Sequence, residues 1–195
     1  MLDYRFLTNF FMAGVYFPPD EDAAFVRRTL AGDTTAFEAL VTRHQKVLYS
    51  VALRMLGNGD DARDATQDAF VKAYQRLTTF DPTYRFFSWI YRILVNECLN
   101  TIRGRHAPEP LLAEMAAAGT PFETVVAEER RAQVEAALQQ LTPEYRAVIV
   151  LRHFADQSYS EIAETLAIPE RTVKSRLYAA RQRLGEHLLG WREDA

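Results

Sequence analysis

The chain has 195 residues, of which 48% are apolar and 12% aromatic, enough for one folded domain or two small ones. Its single cysteine, Cys98, excludes an internal disulfide, and four scattered histidines offer no metal-ligand spacing. No apolar run approaches the ~18 residues of a membrane-spanning helix, and the first residues lack the basic region and cleavage site of an export signal. We therefore expect a folded protein that acts in the cytoplasm without membrane insertion.

The net charge of −3 argues against DNA binding until it is resolved along the chain. Residues 23–106 carry twelve Lys or Arg and eight Asp or Glu, a sum of +4, whereas residues 107–127 carry three acidic residues and no basic one. Residues 171–183 hold five basic residues and no acidic one. Attraction to nucleic acid depends on such local patches, so the chain has two basic regions that are candidates for DNA binding.

The sequence predicts four segments and an all-α fold. Residues 1–22 form an N-terminal extension whose aromatic residues could contact a partner, although an unstructured extension or a misassigned start codon would also explain it. Residues 23–106 repeat apolar residues every three or four positions, which predicts a compact helical domain. Residues 107–127 contain three prolines and a glycine and are predicted to be a flexible linker, able to span up to roughly 70 Å. Residues 128–195 form a second small helical domain.

An acidic stripe follows the break that Gly57, Asn58 and Gly59 make in the first domain. Asp60 or Asp61 is expected to cap the next helix. The stripe consists of Asp60, Asp61, Asp64 and Asp68, with Gln67 and Lys72 on the same helix. Carboxylates at this spacing could hold a metal ion, form a solvated face beside the positive helix N-terminus, or contact a protein partner.

The helix predicted over Tyr84–Arg103 has an unusual outer face. Each residue of a helix is rotated by about 100° from the one before it. With this rotation, the residues that face the core are Phe87, Ile90, Tyr91, Leu94, Cys98 and Thr101. The opposite side carries Arg85, Trp89, Arg92, Asn96 and Arg103. Unpaired bases stack on aromatic rings while arginines bind the backbone, so this face is a candidate site for melted nucleic acid. Alternatively, Trp89 packs on a neighbouring helix and the row is part of a mixed core and ion-pair face.

The second domain contains the pattern of a helix-turn-helix. Ser158 and Glu161 form a capping box, which predicts a helix that begins at Ser158. A short turn over Ala167, Ile168 and Pro169 separates it from a second helix, predicted from Glu170 to about Leu188. A short helix, a tight turn and an arginine-rich second helix are typical of DNA-binding domains that place the second helix in the major groove.

The phase of this second helix separates an apolar side from a basic side. The inward stripe consists of Val173, Leu177, Ala180 and Leu184. The outward and flanking positions are Arg171, Thr172, Lys174, Ser175, Arg176, Tyr178, Arg181 and Gln182. Arginine and lysine can bind guanine edges, and the hydroxyls and remaining cations can bind phosphates. The alternative is a solvated arginine-rich helix without a nucleic-acid partner.

The chain resembles the extracytoplasmic-function group of bacterial sigma factors, which contain regions 2 and 4 without region 3. Four stretches carry the resemblance in the same order: DDARDATQDAFVKAYQRL, FFSWIYRILVNECLNTIR, LQQLTPEYRAVIVLRHF and SYSEIAETLAIPERTVKSRLYAARQRL. The resemblance covers about residues 23–190. It implies core RNA polymerase and promoter DNA as partners, and an anti-sigma protein as an inhibitor.

The resemblance also implies roles for individual residues. Contacts to the polymerase clamp helices are implied for Asp61, Asp64, Gln67, Asp68 and Lys72. Opening of the minus-10 element and capture of its bases are implied for Phe80, Tyr84, Arg85, Phe86, Phe87, Trp89, Arg92, Asn96 and Arg103. Reading of the minus-35 element is implied for Arg171, Thr172, Lys174, Ser175, Arg176, Tyr178 and Arg181.

Two function classes remain after catalysis is set aside. The sequence contains no nucleophile-histidine-carboxylate set, no glycine-rich phosphate loop and no paired histidine ligands. We therefore predict a protein without catalytic activity, cofactor or metal site. A sigma factor is the first hypothesis, and a helix-turn-helix regulator that binds DNA without RNA polymerase is the alternative. The first domain distinguishes them, because an ordinary regulator needs a dimerisation or ligand-binding module there.

Overall fold

The computed structural model describes the backbone of residues 19–104 and 123–193, and the side chains of 21–104 and 131–188. Within these ranges the chain forms eight α-helices and one short 3-10 helix, without a strand. The N-terminal unit contains α1 (Pro19–Leu30), α2 (Thr34–Leu56), α3 (Gly59–Gln75), the 3-10 helix (Leu77–Thr79) and α4 (Phe86–Gly104). The C-terminal unit contains α5 (Glu123–Gln140), α6 (Pro143–His153), α7 (Tyr159–Leu166) and α8 (Glu170–Glu193). The predicted all-α fold class is confirmed.

The break between α2 and α3 has a different cap from the predicted one. Gly57 ends α2 in the left-handed region, with φ of +69°, and its N–H donates to the carbonyl of Leu53. Asn58 then caps α3, because its side-chain oxygen accepts hydrogen bonds from the N–H groups of Asp60 and Asp61. The prediction that Asp60 or Asp61 is the cap was wrong, since both already lie in the first helical turn.

Helix α4 begins two residues later than predicted and buries the expected side. Ile90, Tyr91, Leu94 and Cys98 are buried, and Phe87 and Thr101 are half-buried. Packing of α4 against both α2 and α3 explains this burial. The opposite side of α4 is thereby fixed toward the surface of the N-terminal unit.

The helix-turn-helix of the C-terminal unit forms as predicted. The Ser158 side chain accepts a hydrogen bond from Glu161 N–H, and the Glu161 carboxylate accepts one from Ser158 N–H. Ala167 ends α7 with a left-handed φ of +53°. On α8, the predicted inward stripe is buried, with at most 4% exposure for Val173, Leu177, Ala180 and Leu184.

The two units pack directly against each other. Helix α7 packs on α4, and helices α5 and α6 pack on α2, so that the buried apolar residues form one continuous cluster. Residues 1–18 of the predicted extension and 107–122 of the predicted linker lie outside the described residues, and residues 123–127 belong to α5. Contact between the units could not be predicted from the sequence, because a period of 3.6 residues shows only which side of a helix is apolar.

Candidate nucleic-acid and polymerase interfaces

The outer side of α8 is open along its N-terminal half. Arg171, Lys174 and Ser175 are exposed, and Tyr178 is 69% exposed. The Lys174 ammonium lies 2.7 Å from the Glu170 carboxylate, which raises the pKa of Lys174 and keeps it charged. Because α8 packs only its inner side on α5, α6 and α7, this row of cations and hydroxyls can face a DNA groove.

The flanks of the same helix are less open. Thr172 and Arg176 are half-buried. Arg181 is also half-buried, and its guanidinium lies 3.4 Å from Nε2 of His153 on α6. Burial, with the charges of Arg181 and Arg152, lowers the pKa of His153 to about 4. The predicted contact residue Arg181 is therefore placed at the junction of α6 and α8.

The outer face of α4 combines exposed cations with a half-buried tryptophan. Arg85, Arg92, Asn96 and Arg103 are exposed, as is Tyr84 at 53% just before the helix. The Trp89 ring is half-buried, with its centroid 5.3 Å from that of Phe80 and 5.9 Å from that of Phe86. The indole thus packs against these two rings and stays partly accessible.

Three of the predicted aromatic contact residues pack in or against the core, two of them buried. Phe80 and Phe86 are buried, with 8% and 2% exposure, and pack edge to face on each other. Phe87 is half-buried between the rings of His44 and Tyr91. In the described structure these rings support Trp89 and α4, and their contacts to bases stay predictions. The sequence did indicate this burial, because most residues at the start of this helix are apolar.

Two cations of the α4 face have partners in the C-terminal unit. The Arg92 guanidinium donates a hydrogen bond to the carbonyl oxygen of Glu164 near the end of α7. The Arg85 guanidinium lies 3.5 Å from the carboxylate of Glu161 at the start of α7. Sequence reasoning missed these contacts, which join residues 72 and 76 positions apart along the chain.

The acidic stripe of α3 is a mixed surface. Asp64, Gln67 and Asp68 are exposed, and Val71, one turn further on the same side, is 54% exposed. This apolar neighbour was missed by the sequence analysis, which considered polar residues alone. This side of α3 thus offers apolar area beside hydrogen-bond acceptors, a combination that a protein contact can use.

Two further predicted residues of this surface have partners within the chain. Asp61 is half-buried, and its N–H is held by the Asn58 cap. The Lys72 ammonium forms an ion pair with the carboxylate of Glu97 on α4. Lys72 therefore links α3 to α4. In the described part of the chain, no three His, Cys, Asp or Glu side chains come together as metal ligands, and no helix there is long and apolar enough to cross a membrane.

Comparison with known proteins identifies the family. The Sigma-70 region 2 model matches residues 40–107 and the Sigma-70 region 4 model matches residues 131–184. The chain is 32% identical over 182 residues to the RNA polymerase sigma-H factor of Pseudomonas aeruginosa, covering 87% of this chain and 94% of that protein. It is also 34% identical over 178 residues to the ECF (extracytoplasmic-function) RNA polymerase sigma factor SigW of Bacillus subtilis, covering 84% of this chain and 94% of that one. The chain belongs to the extracytoplasmic-function sigma factors.

Solved structures agree with this assignment. The structure of CnrH in complex with the cytosolic domain of CnrY is similar with a TM-score of 0.69 and 28% identity, over 87% of this chain and 98% of that chain. The sigma factor RpoE of Bartonella quintana, crystallised with the anti-sigma factor NepR, shares the fold with a TM-score of 0.66 at 24% identity, over 78% of this chain and 96% of that chain.

Family membership decides between the two function classes. The chain is a sigma factor, a transcription initiation factor that binds core RNA polymerase and directs promoter recognition, and it is not an enzyme. The alternative of a regulator that acts without polymerase is set aside, because the family match includes region 2 as well as the helix-turn-helix.

Proposed function

We propose that this sigma factor divides its work among three surfaces: α3 binds polymerase, the outer face of α4 captures the opened minus-10 strand, and α8 reads the minus-35 duplex. The observation that carries the proposal is the position of Trp89, half-buried against Phe80 and flanked by exposed cations on α4. Contacts to the phosphates and base edges of a duplex do not require an aromatic ring at the surface. An unstacked base, in contrast, gains from both an aromatic ring and nearby positive charge.

The polymerase contact is assigned to the exposed side of α3. Asp64, Gln67 and Asp68 offer acceptors and Val71 offers apolar area within two turns of helix. Such a combination of an apolar centre with a charged rim is the usual composition of a specific protein contact. Asp61 and Lys72 lie at its margins and shape the surface through the Asn58 cap and the Glu97 ion pair.

The minus-35 contact is assigned to the N-terminal half of α8. Arg171 and Lys174 are placed to bind base edges or phosphates, while Ser175 and Tyr178 add hydroxyl groups. Thr172, Arg176 and Arg181 flank this row. The positive end of the helix dipole at Glu170 adds to the attraction for phosphate.

The minus-10 contact is assigned to Trp89 with Arg85, Arg92, Asn96, Arg103 and Tyr84. The buried rings of Phe80 and Phe86 hold the indole, and Phe87 fixes α4 on α2. We further propose that the protein works in the cytoplasm and that an anti-sigma protein holds it inactive. The sequence resemblance implies this inhibitor, and RpoE of Bartonella quintana, which shares the fold, was crystallised with an anti-sigma factor.

Run-off transcription with core polymerase on a library of promoters tests the proposal. Initiation that depends on the added chain is expected on a subset of templates. If no template supports such initiation, the assignment of the three surfaces fails with it. The start sites that are obtained supply the promoter needed for the next experiment.

A substitution at Trp89 tests the division of labour. Trp89→Ala is expected to reduce strand opening, followed by permanganate reactivity of the minus-10 thymines, by about 5- to 150-fold, the value of one base stack. Duplex binding to the minus-35 element should stay within about twofold. Trp89→Phe, which keeps a ring on Phe80, should restore most of the opening. Equal losses in both assays would show that Trp89 is only structural.

A further inference from the structure

One acidic residue lies at the start of the basic row of α8. Glu170 is the first residue of this helix and carries the single carboxylate within residues 170–177. Its side chain is 48% exposed, and Arg171 beside it is exposed as well. Because phosphates repel a carboxylate, Glu170 lowers the affinity of this surface for every DNA sequence unless it accepts a hydrogen bond from the DNA.

Lys174, one turn further along α8, holds the Glu170 carboxylate in place. Its ammonium lies 2.7 Å from a carboxylate oxygen of Glu170 and 5.9 Å from the ring centroid of Tyr159 on α7. These two contacts orient the ammonium while the Lys174 side chain stays 58% exposed. An ammonium has three donors, so Lys174 can bind a second acceptor without releasing Glu170.

The ion pair presents a donor and an acceptor side by side, as the edge of a base pair does. In the major groove, the O6 acceptor of guanine and the N4 donor of cytosine lie about 2.9 Å apart, because they are hydrogen-bonded to each other. The 2.7 Å between Lys174 and Glu170 matches this spacing. The ammonium can therefore donate to guanine while the carboxylate accepts from cytosine.

The other three base pairs fit this arrangement less well. With the base at Lys174 named first, the pairs C·G and A·T exchange the donor and the acceptor, so that like groups face each other. In T·A the order is correct, but the N7 acceptor of adenine lies beside the carboxylate and the methyl group of thymine lies beside the ammonium. Guanine in G·C offers the ammonium a second acceptor, N7. The ion pair is thus complementary to one base pair of the four.

We propose that Glu170 and Lys174 read one base pair of the minus-35 duplex as a unit, with guanine at Lys174 and cytosine at Glu170. This inference rests on the proposed role of α8 and names the base pair that part of it recognises. Glu170 is then a specificity-determining residue. Its carboxylate lacks a DNA donor on a wrong base pair and gains one on the correct pair, so it discriminates mainly by weakening the wrong complexes.

A surface ion pair without this function would behave differently. Exposed pairs four residues apart on a helix contribute little to stability. Loss of Glu170 from such a pair would increase the positive charge of α8 and raise the affinity for all duplexes alike. The preference among bases would stay the same at every position. Measurements of base preference therefore distinguish a reading pair from a simple surface pair.

The test uses holoenzyme assembled from core polymerase and the full chain, on the promoter that run-off transcription supplies. The minus-35 segment is randomised, and the bound duplexes are recovered at fixed salt and sequenced. Wild type should select a G·C pair at one position of this segment. Glu170→Ala should lower the preference for guanine over adenine there by about fivefold or more, the effect of one lost base contact. Unchanged base preferences in Glu170→Ala, or no selected G·C pair in wild type, would overturn the proposal.

Glu170→Gln should change the preferred base pair instead of weakening the preference. Glutamine keeps the shape of the side chain but adds an amide donor, and it binds adenine through N6 and N7. The ratio of T·A to G·C at this position should therefore rise by about fivefold or more. Glu186→Gln is the matched control, because it removes the same charge from an exposed position of α8 roughly 24 Å away. The control should leave every base preference within about twofold, and a Glu170→Gln variant that behaves like it would contradict reading by Glu170.

Two further variants separate this inference from the proposed function. If neither Lys174→Ala nor Arg171→Ala alters the selected minus-35 sequence, the assignment of α8 is wrong. If they alter it while Glu170→Ala raises binding to all duplexes equally, the assignment of α8 stands and reading by Glu170 is wrong. If the pair acts as a unit, adding Glu170→Ala to Lys174→Ala should remove little further preference at the G·C position.

Discussion

The two candidate DNA-binding faces of this sigma factor are built differently. The α8 face belongs to a single helix, with a buried stripe on one side and an exposed basic row on the other. The α4 face depends on several elements: Trp89 packs on Phe80 from the preceding loop, and Arg92 contacts α7 of the other unit. On a face made by one helix, some residues stabilise the fold and their neighbours bind the ligand. On a face made by several elements, the same residues do both.

The largest expected effect tests this separation on α8 with two neighbouring residues. Leu177 is 1% exposed and Tyr178 is 69% exposed. Leu177→Ala should lower the free energy of unfolding by about 2–5 kcal/mol because it leaves a cavity. Tyr178→Ala should change it by at most about 0.5 kcal/mol and should weaken duplex binding instead. Urea denaturation and a duplex-binding assay on both variants measure this, and a comparable loss of stability in both would contradict the comparison.

A smaller effect is expected from acid, which acts beneath the α8 face. The folded-state pKa of His153, about 4, lies below the ordinary value of 6.5, so the unfolded chain binds a proton more readily. The neutral His153 therefore adds its full share to the free energy of unfolding above pH 6.5, and this share is lost as the pH falls toward 4. The share is on the order of 1–3 kcal/mol. Unfolding of wild type and His153→Gln at about pH 7.5 and about pH 5 tests this. The variant should lose less stability than wild type between the two pH values.

The smallest effect is expected beneath the α4 face. Tyr91 is fully buried, and its hydroxyl has no hydrogen-bond partner among the described residues. Burial also raises its pKa well above the usual value. Tyr91→Phe should leave the free energy of unfolding unchanged or raise it by up to about 1 kcal/mol, since an unpaired polar group is removed from the core. A clear loss of stability in Tyr91→Phe would show that the Tyr91 hydroxyl has a hydrogen-bond partner. The α4 face would then depend on one more element.

Local patterns in the sequence were sufficient for the C-terminal unit. The Ser158 capping box, the turn after Leu166 and the stripe from Val173 to Leu184 were all predicted and all found. These features involve residues within a few positions of one another, so spacing alone defines them.

The cap of α3 was assigned wrongly because Asn58, Asp60 and Asp61 can all act as caps, and backbone geometry makes the choice.

The sequence by itself determined that the protein is all-α, that it contains a helix-turn-helix with a basic outer row, and that it carries the motifs of a sigma factor. Only the tertiary structure decided that Phe80 and Phe86 are buried supports, that Lys72 pairs with Glu97, and that Arg92 reaches Glu164. The physical reason is the distance along the chain between the residues that interact. Helical periodicity tells which side of a helix is apolar, but burial and charge pairing depend on which distant element packs there.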